Sequence, residues 1–218
     1  MTDTAPTLSQ RLKTECWPLH EAAEHAALPK KLISATVTRD EYVGLLHQTL
    51  LHTAALDEAL RRRLADLPAL GAVVEEAQLQ APLVERDLEH LGADPAGATA
   101  SPATRELLDR IERFEAEDPI RLLGLHYVRE GAHNGNRFIA RSIQKALGLP
   151  AGGDGVRHLT PYGDEQPAVW ASFKATLDAQ RLTDEQRDAI VDAAKDMFRA
   201  ITAIHAQIAS AEATPASY

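Results

Sequence analysis

From Pro119 to Leu147 apolar residues recur at helical spacing, yet glycines stand at 131 and 135, inside the run Tyr127-Val-Arg-Glu-Gly-Ala-His-Asn-Gly135. Each glycine in a helix interior costs about 1 kcal/mol relative to alanine. Four residues apart, the two lie on one face and strip it of side-chain bulk. Bare backbone on one face suits close contact with a neighbouring helix, or a flat ligand laid against it. A kink is the matching structural expectation.

The rest of the chain also reads as helix. Thr7 or Ser9 caps a first helix that runs to about Ala27, with Pro18 predicting a bend or a helix start close to His20. Thr38-Arg-Asp-Glu41 is a capping-box pattern that opens a helix from Asp40 to about Leu60. Glu75–Ala81 and Ala81–Leu91 read as two short helices, Gly92–Pro102 as a loop, and Ala103–Glu115 as a helix. Gly148 and Pro150 end the glycine-interrupted helix, and turns follow at 151–155 and 160–164. Pro167–Leu182 and a last helix from Thr183 to about Ala209 complete the pattern. No run alternates as a strand does. The expectation is an all-α, single-domain bundle over 9–209, with a flexible lead-in at 1–8 and a flexible tail at 210–218.

The chain has 218 residues, enough for one domain with a sizeable core. Its net charge of -9, from 32 acidic against 23 basic residues, argues against nucleic-acid or membrane-surface binding. The single cysteine, Cys16, excludes an internal disulfide and a cysteine-built metal site. No apolar run reaches transmembrane length, and the start Met1-Thr-Asp-Thr-Ala-Pro lacks the basic and apolar regions of a signal peptide. A cytoplasmic location is the expectation.

A second informative segment is Leu12-Lys-Thr-Glu-Cys-Trp-Pro-Leu-His20-Glu-Ala-Ala-Glu24-His25. It pairs Leu12 and Lys13 with His20, Ala23 and Glu24. Taken with Tyr127-Val-x-Glu130-Gly131, with Tyr162-Gly-Asp164 to Trp170-Ala-Ser-Phe173, and with Ala193-Ala-Lys-Asp-Met-Phe198, it resembles the haem oxygenase family over most of residues 10–207. The resemblance implies a helical bundle with a glycine-kinked distal helix. It also implies the cleavage of haem, with dioxygen and electrons, to biliverdin, carbon monoxide and iron. A neutral imidazole is a good iron ligand that leaves the other haem face free, and the resemblance makes His20 the proximal ligand. Glu24, one turn on, is placed to fix its tautomer. Gly131 and Gly135 match the distal glycines. Lys13 and Lys174 match propionate-side cations, with Arg129, Arg137 and Arg181 as further candidates. Phe198 matches an aromatic that approaches haem, whereas Phe138, Trp170, Phe173 and Met197 read as core. Nothing resembles a flavin or nicotinamide fold, so electrons must come from an external donor such as a ferredoxin or a flavoprotein reductase.

The chain departs from the family pattern on its distal helix. Ala132 stands where an Asp often organises distal water. Asn136 takes the second place of a Gly-Gly pair, where it either crowds haem or supplies a polar group. His133 and Asn134 replace smaller or apolar residues. His133 has several possible roles: a second iron ligand, a partner to dioxygen, an anchor for water, or a side chain facing solvent or a neighbouring helix. These departures keep a noncatalytic haem-binding or haem-transfer protein open as the alternative. Glu130-x-x-His133 also has the spacing of a di-iron bundle, but the sequence offers no second clean Glu-x-x-His set.

Overall fold

A computed structural model describes residues 5–150 and 153–211. Among them no strand occurs, and the chain forms an all-α bundle. The nine helices of the described residues are α1 Leu8–Glu24, α2 Ala27–Ile33, α3 Arg39–Arg63, α4 Pro68–Val73, α5 Ala81–His90, α6 Pro102–Glu117, α7 Leu122–Leu147, α8 Gln166–Asp178 and α9 Asp184–Ala211. Short 3₁₀ turns join several of them. Residues 1–4 of the expected lead-in, 212–218 of the expected tail and 151–152 of the 151–155 turn lie outside the described residues.

The caps explain where the long helices begin. Thr7 and Gln10 form a capping box at α1, and Thr38 and Glu41 form the expected one at α3. Gly148 ends α7 in the left-handed conformation that glycine adopts without steric cost. Pro18 does not stop α1, which continues through it to Glu24. Helices α2 and α4 were not expected: both are short, and neither N-cap side chain makes a capping hydrogen bond. The span expected as a helix at Glu75–Ala81 is only a 3₁₀ turn at Glu76–Gln78. One helix of the bundle carries a 24° kink. The two helices whose sequence favours a bend are α1, through Pro18, and α7, through its glycines.

Apolar burial divides into two clusters. The larger joins α1, the C-terminal part of α3, α4, α6, α8, α9 and the N-terminal part of α7 through residues such as Leu12, Leu56, Leu107, Leu123 and Ile190. The smaller joins α2, α5, the start of α3 and the C-terminal part of α7 through Leu28, Leu46, Leu88 and Ile143. Helix α7 belongs to both, with Val128 in the first and Ala140 in the second. Its glycine-bearing segment is therefore the seam between the two cores.

Helix α9 is the common support, packing against both α1 and α7. Its crossing with α7 depends on Gly124. A Cβ there would lie 2.2 Å from the Ile190 carbonyl oxygen and 2.8 Å from the Ala194 nitrogen, so backbone touches backbone. Polar links fix α1 at its start. Asp178 accepts from the Ser9 amide and hydroxyl at 2.7 and 2.6 Å. Glu15 accepts from Lys195 and Arg11, both at 2.9 Å, which holds its carboxyl below the usual range.

Two glycines of the same helix should respond oppositely to alanine. Gly124→Ala forces α7 and α9 apart and should cost at least the ~1–3 kcal/mol of an overpacked core. At ~2–4 °C per kcal/mol for a domain of this size, the midpoint of thermal unfolding should fall by several degrees. A Cβ at Gly135 meets nothing within 4 Å, so Gly135→Ala should leave the midpoint unchanged or slightly raised. Circular dichroism melts of both variants check this.

Candidate functional site

A cavity of about 840 Å³ opens where the two cores meet. That volume lies within the ~300–1,000 Å³ typical of small-molecule and cofactor sites. Its walls come from both clusters, with Leu12 and Met197 from one and Leu32 and Ile143 from the other. Helix α1 contributes Lys13, Cys16, Trp17, His20 and Glu24, and α7 contributes Tyr127, Gly131, Ala132, His133 and Asn136. Phe198 on α9 and Lys174 on α8 also line it. Among the site residues expected from the sequence, Gly135 is exposed and not part of the lining.

The His20 ring is held on two sides. It stacks on Trp17 with centroids 5.3 Å apart and planes 8° apart, and it meets Phe198 edge-on at 5.7 Å. Its Nδ1 is buried without a hydrogen bond, and Glu24 Oε1 lies 3.7 Å away. A small turn of Glu24 would let Nδ1–H donate to it, leaving Nε2 as the free ligand atom. Lys13 is exposed at the rim, and Lys174 is half-buried with its Nζ 5.5 Å from the centre of the Trp170 ring. Cys16 is buried, and burial pushes its thiol up to about 11, so it is a neutral wall group.

Gly131 serves packing and cavity together. A Cβ on it would lie 3.4 Å from Trp170, so the bare backbone accommodates that ring while also bordering the cavity. Trp170 in turn stacks on Phe173 with planes 12° apart.

Behind this apolar mouth the lining turns polar. Arg129 is buried and pairs with Asp57, which also accepts from the Ala81 amide at 2.9 Å. It donates to the Gln78 carbonyl and to His126 Nδ1, both at 2.9 Å, while His126 Nε2 donates to Gln78 Oε1 at 3.0 Å. Considered from sequence as a propionate cation, Arg129 is instead occupied in holding α7 to α3 and to the 3₁₀ turn before α5. On the next residue, Glu130 accepts from Tyr162 at 2.8 Å. Asp87 accepts from the Arg157 and His158 amides at 2.9 and 2.8 Å and from His158 Nδ1 at 2.7 Å. Tyr42 donates to the Gly155 carbonyl at 2.8 Å. These bonds fasten the segment carrying His158 and Leu159 over the cavity.

Sequence reasoning missed His52, His158, His205, Gln80 and Tyr162. The available signal was on α3, where Gln48, His52, Thr53 and Asp57 interrupt an apolar helix at helical spacing. All four are buried. Among the described residues, no group of three or more His, Cys, Asp or Glu side chains is placed to hold a metal ion. Glu130 and His133 therefore lack the further ligands that a di-iron centre requires.

Burial sets the protonation of this inner wall. It pushes His52 and His133 down to about 3, with the charge of Arg129 adding to the effect, and His205 down to about 4. His126 is also held well below its ordinary value, by burial first and then Arg129. Glu130 moves up to about 7, burial outweighing the opposing effects of Arg129 and Tyr162. In the unfolded chain the four histidines gain protons as pH falls below about 6.5, whereas the folded protein keeps them neutral. The stability they supply is full above pH 6.5 and is lost as pH falls toward their folded values. Glu130 acts in the opposite sense between about 4.5 and 7, but it is one group against four. The midpoint of thermal unfolding of the haem-free protein should therefore rise from pH 5 to pH 7. A flat or falling profile would contradict these assignments.

A family model described as Heme oxygenase matches residues 6–207. Heme oxygenase 1 of Bos taurus is 25% identical over 197 residues, spanning 88% of this chain and 68% of that protein. A Heme oxygenase of Xanthomonas campestris pv. campestris (strain 8004) is 28% identical over 165 residues, spanning 74% of this chain and 87% of that one. The crystal structure of heme oxygenase-2 from Synechocystis sp. PCC 6803, in complex with heme and NO, superposes with a TM-score of 0.88 at 22% identity, over 94% of this chain and 86% of that chain. The family match takes in α1 with His20, the cavity-lining part of α7 and nearly all of α9. This chain belongs to the Heme oxygenase family.

Proposed function

We propose that this protein binds haem in the cavity bordered by α1, α7 and α9 and cleaves it, with dioxygen and electrons, to biliverdin, carbon monoxide and iron. Family membership over residues 6–207 carries the reading, because that span supplies the walls of a single cavity of suitable size. The residues fit the substrate. A histidine with a buried, unbonded Nδ1 stands in a mostly apolar pocket, and two lysines stand among its lining.

Haem, once bound, supplies both the iron that holds dioxygen and the porphyrin ring that is oxidised. The protein's work is to bind, orient and exclude. We assign His20 as the iron ligand, steadied by Trp17 and Phe198, with Glu24 fixing its tautomer through Nδ1. Lys13 and Lys174 are assigned to the propionates, which suits their places among the cavity residues. Gly131 lets the α7 backbone approach the haem face, Gly135 adds to the freedom of that helix to bend, and Asn136 and His133 supply polar groups that Ala132 lacks. Electrons come from an external ferredoxin or flavoprotein reductase, since this bundle holds no flavin or nicotinamide fold. No helix among the described residues is long and apolar enough to cross a membrane. Action in the cytoplasm is part of the proposal.

One observation favours a second reading. His133 borders the cavity, and its buried Nε2 has no hydrogen-bond partner. As a second iron ligand it would block dioxygen and make the protein a haem carrier on the same fold.

Haem titration followed by a reductase system in air tests both. The expected result is a one-to-one complex whose Soret band gives way to a biliverdin spectrum. Glu24→Ala should weaken haem binding about 10–100-fold, the usual cost of losing a group that orients a metal ligand. His20→Ala should cost more. A complex that survives reduction in air would establish the carrier, and no saturable binding would overturn both.

A further inference from the structure

Helix α7 places an unusual pair beside the cavity. Glu130 and His133 are 1% and 5% exposed, lie one turn apart, and have their facing atoms, Oε1 and Nε2, 4.0 Å from each other. That is too long for a hydrogen bond and short enough for one water to bridge. His133 Nε2 has no partner in the protein. The other ring nitrogen lies 3.4 Å from Asn136 Nδ2, and with that amide donating, the ring proton sits on Nε2, facing Glu130. Tyr162 stands edge-on to His133 at 5.9 Å and donates to the second carboxyl oxygen, Oε2, at 2.8 Å. Gln80 Nε2 lies 3.5 Å from Oε1 and 3.3 Å from the Tyr162 hydroxyl. Both Gln80 and His133 line the cavity, whereas Ala132, between the two members of the pair, offers no polar side-chain atom.

Arg129 and Asp57 anchor α7 through a separate set of bonds. A buried carboxyl whose Oε2 accepts from Tyr162 at 2.8 Å, and whose Oε1 has only a long bond from Gln80 at 3.5 Å and faces a buried imidazole nitrogen, is an arrangement for keeping a proton and releasing it. We propose that Glu130 is the proton reservoir of the cavity, with His133 as the positioning residue for a bridging water and Tyr162 as the donor that stabilises the carboxylate after release. The inference rests on the haem-cleaving reading, a reaction that consumes protons. The step is simple. The O–H bond at Oε1 breaks, the proton passes to the water bridging to His133 Nε2 and on into the cavity, and the electron pair stays on the carboxylate. There Tyr162, Gln80 and the nearby Arg129 charge stabilise it, and a proton from solvent restores the acid. The charged groups acting on Glu130 are Arg129, Asp57 and Glu75, with Tyr162 and His133 in contact or within a water of it. Their balance with burial places it at about 7, where it can both hold and give up a proton near neutrality.

Two arms test this. In the first, infrared spectra of the haem-free protein are recorded across pH. A protonated-carboxyl band that titrates near neutral pH and is missing from Glu130→Gln supports the proposal, and no such band overturns it. In the second, biliverdin formation is followed for wild type and variants that bind haem one-to-one. Glu130→Gln should slow it about a hundredfold, the low end for loss of an acid–base group, and Glu130→Asp should restore part of the rate. Tyr162→Phe removes a hydrogen bond that favours the ionised form, so the pH profile should move to higher pH, which a merely structural role would not do. Glu130→Gln with wild-type rate and profile overturns the relay alone. Wild-type protein that binds haem and forms no biliverdin overturns the relay together with the function on which it rests.

Discussion

The buried charge of Arg129 is the interaction around which the site is arranged. Burying a guanidinium is costly unless it is paired, and here its two terminal nitrogens find partners in three places, Asp57 on α3, the Gln78 carbonyl before α5 and His126 one turn back on α7, while Nε is buried without one. Satisfying one charge therefore fixes three elements at once. The neighbouring residue, Glu130, inherits its position from that anchor. Burial, and after it the same charge, disfavours protonation of His52, His126 and His133, so these imidazoles stay neutral at physiological pH. With His52 and His133 neutral, the inner end of the cavity can accept a large apolar ring without burying further positive charge.

The second constraint is that α7 serves two cores. Its first half is built into one and its last turns into the other, and the glycine-bearing segment spans the gap between them. Gly124 lets the first half lie directly on the α9 backbone, and Gly131 gives room to Trp170. The helix is thus clamped at one end and relieved of a side chain at Gly131, where it borders the cavity. Close packing and an open site are reconciled within one helix by where its glycines fall.

Much of this was legible in the sequence, for local reasons. Capping boxes, the α7 pattern ended by Gly148 and the last helix opened by Thr183 are signals contained within a few residues, and they place the long helices to within a few positions. The resemblance carried by Leu12 to Glu24 and by Tyr127 to Gly131 pointed to two segments that line one cavity. What escaped was non-local or lacked a local signature. Helices α2 and α4 have no side-chain cap, and packing alone specifies them. The partner of Arg129 stands 72 positions away and that of His158 stands 71 away, and no spacing rule joins such pairs. Glu130 read as half of a metal motif because its real partner, Tyr162, lies across the bundle. Gly135 matched a pattern while its position in space is at the surface rather than on the cavity wall.

We propose that haem sits in this cavity with its iron on His20 and its other face turned to α7. Resonance Raman spectroscopy of the ferrous haem complex tests that directly through the iron–imidazole stretch. The expected result is a five-coordinate band that is lost in His20→Ala and retained in His133→Ala. A band that survives His20→Ala, or a six-coordinate spectrum that turns five-coordinate in His133→Ala, would contradict it.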